Sequence, residues 1–176
     1  MLINYLHKIG WFIGLVLLQV LILSNVHIAG YATPFLYIYL ILKFESDTPR
    51  NALMLWAFFL GLAVDVFSDT PGMNAAATVL LAFLRPTFLR LSLSMTIGCL
   101  MAPRDTLDTL VPAIRTMGIL PFLKYLVVSV LIHHGLLLTL EFFSFAHIGT
   151  LLLRIAASTL LTVTCIMAVE GIRKKG

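Results

Sequence analysis

Gly61-Leu-Ala-Val-Asp65-Val-Phe-Ser68-Asp69-Thr-Pro71-Gly72-Met-Asn74-Ala75 places a carboxylate near the end of one long apolar run, then a tight polar turn, then the start of a second apolar run. A charge inside an apolar helix is costly, so Asp65 needs a partner or a purpose. The segment reads as a corner between two membrane-crossing helices. The reading makes the fold an all-α integral membrane protein, and the residues on either side test it.

The chain has 176 residues, 60% of them hydrophobic and 11% charged, with a mean hydropathy of +1.03. A soluble domain of this size cannot hide that much apolar side chain in one core. The apolar residues gather in blocks near the length that lets a helix cross about 30 Å of hydrocarbon. They do not alternate with polar residues, as strands of a membrane barrel would. Spans are predicted at about Ile9 to Leu23, Tyr31 to Leu42, Ala52 to Ser68, Met73 to Leu89, Leu120 to Leu140 and Ile148 to Ala168. Together they form a six-helix transmembrane bundle, one domain over residues 1–176. The second span is short and is interrupted by Gly30 and Pro34, so a kinked, tilted or partly re-entrant segment fits it as well. The first span follows Lys8 but no small-x-small cleavage site follows it, so it reads as a retained helix.

Lys and Arg collect on the cytoplasmic side of helical membrane proteins, and here they alternate between connections. Lys8, Lys43 and Arg50, then Arg85, Arg90, Arg104 and Arg115, then Arg173, Lys174 and Lys175 mark one side; Ser24 to Gly30, Asp69 to Gly72 and Glu141 to His147 carry none. Six crossings with both termini in the cytoplasm put all three uncharged-by-base connections outside. The net charge of +4 lacks the interleaved aromatics of a nucleic-acid platform, so no nucleic acid is expected as a partner. The long connection 91–118 sets Leu107, Leu110, Val111 and Ile114 at helical spacing against charges. It reads as an amphipathic helix on membrane lipids, or else as an irregular loop. Cys99 in that loop and Cys165 in the last span give neither a disulfide framework nor a zinc site.

Asp65 and Asp69 lie one turn apart near the outer end of the third span. Three roles suit Asp65: a carboxylate accepting backbone N–H groups at the start of the next helix, an interhelical ion pair or partner contact, or proton-coupled chemistry. Arg154 sits about 9 Å inside the last span at 1.5 Å per residue and calls for snorkelling or a carboxylate, with Asp65 first and Glu141 second as the candidate partner. The adjacent His133 and His134 diverge by about 100° on a helix and lack a third ligand, so neither metal nor cofactor is expected. One of them reads as interhelical and the other as facing an interface. No nucleophile with a base in reach stands out, which argues against an enzyme. Gly10-x-x-x-Gly14 and the stripe Ala57, Gly61, Asp65 offer small residues for close helix packing, inside the bundle or with another protein's membrane helix.

Gly61, Asp65, Ser68, Pro71, Gly72, Asn74 and Ala75, together with Phe83-Leu-Arg85-Pro86 and Thr33-Pro34-Phe-Leu-Tyr-Ile-Tyr39, resemble MreD, the rod-shape-determining membrane protein family of bacteria. One departure is that Gly72 follows Pro71 directly, which shortens the turn. The resemblance implies a noncatalytic component of the cell-elongation machinery in the bacterial cytoplasmic membrane. It implies MreC as a partner, beside MreB, RodA and a class B penicillin-binding transpeptidase. It also implies a helix arrangement similar to the substrate-binding subunits of energy-coupling-factor transporters, which keeps a small-molecule-binding transporter subunit as the alternative.

Overall fold

Where water is absent each backbone N–H and C=O must find a partner within the chain, and a continuous apolar run meets that demand by becoming a helix. The computed structural model describes residues 2–25, 32–97, 110–142 and 148–175. Its helices are α1 Leu2–Leu21, α2 Tyr39–Leu42, α3 Arg50–Ser68, α4 Met73–Ile97, α5 Ile114–Met117, α6 Ile119–Phe142 and α7 Ile148–Lys175, with 3-10 turns at Leu23–Asn25 and Leu36–Ile38. Four helices are long and apolar enough to cross a membrane: Arg50–Ser68, Met73–Leu93, Ile119–Phe142 and Ile148–Arg173. A shorter apolar helix covers Lys8–Leu21. Large apolar side chains cover the outside: Leu55, Phe59, Val66, Phe67, Leu152, Leu160 and Ile172 are all more than half exposed. An apolar surface that extensive suits hydrocarbon and not water.

α4 packs between α3 and α6, and α6 lies beside α7. The closest approach is at Gly61: a Cβ there would stand 2.5 Å from the Ala75 Cα and 2.6 Å from the Asn74 carbonyl oxygen. Ala57, Leu60 and Val64 continue the same buried face of α3. By contrast, a Cβ at Gly10 or Gly14 would meet nothing within 4 Å, so neither glycine serves packing inside the bundle. Their stripe lies on the outside of α1.

The predicted second span is not one helix. Thr33 to Phe35 lies outside any helix, and the helical part is the 3-10 turn followed by α2. Pro34 has no N–H and keeps Thr33 out of the helical region, which explains the break. Side chains of neighbouring helices replace the missing ladder. The Thr33 amide donates to Ser158 Oγ at 3.2 Å and the Phe35 amide to Thr162 Oγ1 at 3.1 Å, both on α7. From α1, the buried Gln19 accepts from the Leu36 amide at 2.9 Å and donates to the Pro34 carbonyl at 3.0 Å. Tyr37, Ile38 and Ile41 are fully buried, so this broken segment is the middle of the core and not an edge of it.

The fourth helix also differs from its predicted end at Leu89: it runs through Pro86 to Ile97, taking Leu91 to Ile97 out of the predicted loop. Residues 98–109, with Cys99, Arg104 and Leu107, lie outside the described residues. Leu110 to Ala113 is not helical and α5 is a single turn, so an amphipathic helix does not extend over that part.

The glycines are separable by experiment. Gly61→Ala forces the α3 and α4 backbones apart and is expected to cost about 1–3 kcal/mol, as overpacking does. Gly14→Ala leaves thermal stability in detergent unchanged or slightly raised. Equal melting of the two variants would contradict this packing.

Candidate functional site

The corner between α3 and α4 is organised by one carboxylate. Asp65 is only 2% exposed. Its Oδ1 accepts from the Asn74 amide at 3.0 Å and its Oδ2 from the Ala75 amide at 2.8 Å, both in the first turn of α4. Thr70 Oγ1 donates to Oδ1 at 2.5 Å and Asn74 Nδ2 at 3.0 Å. Asp65 is thus the N-terminal cap of a helix other than its own, where orphan N–H groups and the helix dipole favour a negative charge. Asp69 ends α3 in the left-handed region at φ 54°, and Gly72 turns the chain at φ 80°. An aspartate tolerates the first and a glycine suits the second. Ser68 and Pro71 sit beside the turn and line a cavity there.

Asn74 carries the order inward. Its amide nitrogen donates to Asp65 and Thr70, so its Oδ1 can only accept, and it takes the Tyr37 hydroxyl at 3.0 Å. With that proton committed, the Tyr37 oxygen accepts from His133 Nε2 at 2.9 Å, which fixes the Nε2–H tautomer. His134 takes the opposite tautomer: its Nδ1 lies 2.8 Å from the Val130 carbonyl and must donate, while Thr162 Oγ1 donates to its Nε2 at 3.2 Å. Both histidines are fully buried and bonded to other elements, which corrects the reading of one as an interface residue. Among the described residues no group of three or more His, Cys, Asp or Glu could hold a metal ion.

Arg154 is not a partner of Asp65, whose acceptor sites are filled from α4 and the turn. The guanidinium of Arg154 instead stacks over the Phe142 ring at 4.8 Å. Arg154, Glu141, Asp69, Asn74, Ser68 and Ser158 line a cavity of about 520 Å³ at the turn end of the bundle. Asp65 and His134 are absent from its wall. The sequence-predicted site therefore divides in two: a buried structural cap, and a polar hollow next to it.

The opposite, basic end holds two residues whose roles were not anticipated. Arg85, predicted to mark a surface connection, is 1% exposed. Its Nε donates to Tyr125 Oη at 3.0 Å and its Nη atoms reach the carbonyls of Leu42, Phe44 and Glu45, the C-terminal end of α2 and the residues after it. Glu170, 4% exposed, accepts from Tyr39, from Lys43 at 2.9 Å and from the Ile114 amide at 3.4 Å. Burial pushes the Lys43 ammonium below its ordinary pKa, and the Glu170 carboxylate opposes that shift. The only sequence signal for Arg85 was its place inside an apolar run that continues on both sides.

Compared with known family profiles, curated proteins and solved structures, the chain matches none.

Removing the cap and altering the turn should have unequal effects. Asp65→Ala strands two backbone donors and a hydroxyl and is expected to cost about 3 kcal/mol or more, since each bond to a charged acceptor contributes about 1.5–3 kcal/mol. Asp69→Asn keeps a residue that accepts the left-handed conformation and should shift stability by no more than about 0.5 kcal/mol. Thermal unfolding of both variants in the same detergent makes the comparison.

Proposed function

We propose that the chain is a noncatalytic scaffold of the bacterial cell-elongation complex, of the MreD kind, set in the cytoplasmic membrane by six crossings with both termini in the cytoplasm. The carrying observation is where its chemistry-bearing side chains go. Asp65, Arg85, His133, His134 and Glu170 are all buried and bonded within the chain. What faces outward is apolar, and on α1 it includes the unfilled stripe of Gly10 and Gly14.

The reading counts the broken segment 32–42 as one of the six crossings. Its support is that Thr33 lines the cavity at the turn end while Lys43 lines cavities at the basic end. In this reading the outer face of α1, flat at the glycines, receives the single membrane helix of MreC by close backbone approach. MreB, RodA and the class B penicillin-binding transpeptidase are then further members of the assembly. Gly14→Leu is expected to abolish co-purification with MreC while leaving melting unchanged; capture at the unaltered yield would remove α1 as the docking face.

A second reading, a small-molecule-binding membrane subunit of a transporter, is favoured by the 520 Å³ cavity with Arg154 and Glu141 in its wall. A hollow of that size and polarity suits a small zwitterion. Native mass spectrometry of the purified protein should then show a bound non-lipid mass that Arg154→Ala removes. A chain that carries lipid adducts alone speaks for the scaffold.

A further inference from the structure

At the basic end, cations from three parts of the chain line one cavity. A cavity of about 160 Å³ is lined by Lys8 and Trp11 of α1, Lys43 after α2 and Arg173 of α7, with Leu15, Leu40 and Val111 as apolar wall. A second cavity of about 140 Å³ is lined by Lys43, Arg115, Arg173 and Glu170. Lys43 and Arg173 line both. Among the described residues two carboxylates stand near them: Glu170 accepts from Tyr39, from Lys43 and from the Ile114 amide, and Glu45 lies 3.8 Å from Lys8.

The Arg173 guanidinium is held in place in two ways: it donates to Tyr39 Oη at 3.1 Å and lies over the Trp11 ring at 5.6 Å. A planar donor fixed by aromatic contacts is arranged for an oxyanion. Trp11 and Tyr39 are side chains of the kind that settle at the headgroup level of a bilayer, and Trp11 and Val111 are partly exposed beside the pocket.

We propose that the first of these pockets binds the phosphodiester headgroup of an anionic phospholipid, with Lys8, Lys43 and Arg173 around the phosphate and the wall of Trp11, Leu15 and Val111 along the start of the acyl chains. The apolar wall selects a lipid over a free anion, because inorganic phosphate gains nothing from it. The inference does not rest on the scaffold reading and holds for either function.

The test uses the full chain in mild detergent, titrated with phosphatidylglycerol and phosphatidylcholine of the same acyl chains, with bound lipid counted by native mass spectrometry. Phosphatidylglycerol should be retained over phosphatidylcholine by at least about tenfold, and Lys8→Gln and Arg173→Gln should each lower its retention about fivefold. Arg173→Lys, which keeps the charge but loses the planar fork, should fall between the parent and Arg173→Gln. Equal retention of the two lipids by the unmodified chain overturns the proposal, and that reading needs no variant to fold. So does undiminished selectivity in Gln variants that melt like the parent. Displacement of phosphatidylglycerol by millimolar inorganic phosphate would also overturn it, by assigning the pocket to a soluble anion.

Discussion

The bundle depends on one carboxylate satisfying a helix that is not its own. Away from water an unpaired amide costs several kcal/mol, and the first turn of α4 presents such amides at a buried corner. Asp65 accepts two of them, and this sets how closely α3 can approach α4. Only a glycine at 61 allows that distance. Asn74, oriented by the same carboxylate, then orients Tyr37, which in turn sets the ring of His133 on α6. The register of four elements is therefore referred to a single charge.

The far end obeys the same rule with the sign reversed. Where α2 stops, the carbonyls of Leu42 and, just beyond it, Phe44 take donors from the guanidinium of Arg85. An acid thus meets a helix start at one end of the molecule and a base meets a helix finish at the other. Both charges are buried without an opposite charge beside them as their chief partner. Backbone dipoles and neutral side chains do that work, as the reading of Asp65 as an acceptor for the next helix expects and its pairing with Arg154 does not.

Much of the helical layout was legible because run length and turn chemistry are local properties. α3 and α6 lie within two residues of their predicted limits, α7 starts at the predicted Ile148 but runs past Ala168 to Lys175, and the corner from Asp69 to Gly72 reverses the chain where the turn residues stand. What the sequence concealed were polar contacts between distant residues. Arg85 finds Tyr125 forty residues on, and Tyr39 finds Glu170 at a separation of 131. No periodicity encodes such a pairing. Basic residues were read as markers of one membrane side, a rule that holds for loops but fails for a guanidinium such as Arg85 that has carbonyls to bind inside. The end of α4 was misjudged too: the predicted span passes through Pro86, which a helix surrounded by others tolerates, but stops at Leu89 where the helix runs on to Ile97.

The stretch from Thr33 to Leu36 has a bearing on how the chain is made. Its amides are held by Gln19, already synthesised, and by Ser158 and Thr162, which leave the ribosome more than a hundred residues later. Until the last helix arrives, the Thr33 and Phe35 amides must be kept by water or by the insertion machinery. Assembly therefore finishes at the centre and not at the C-terminus, and a nascent chain arrested before α7 would hold its second segment unsettled among helices that had already inserted.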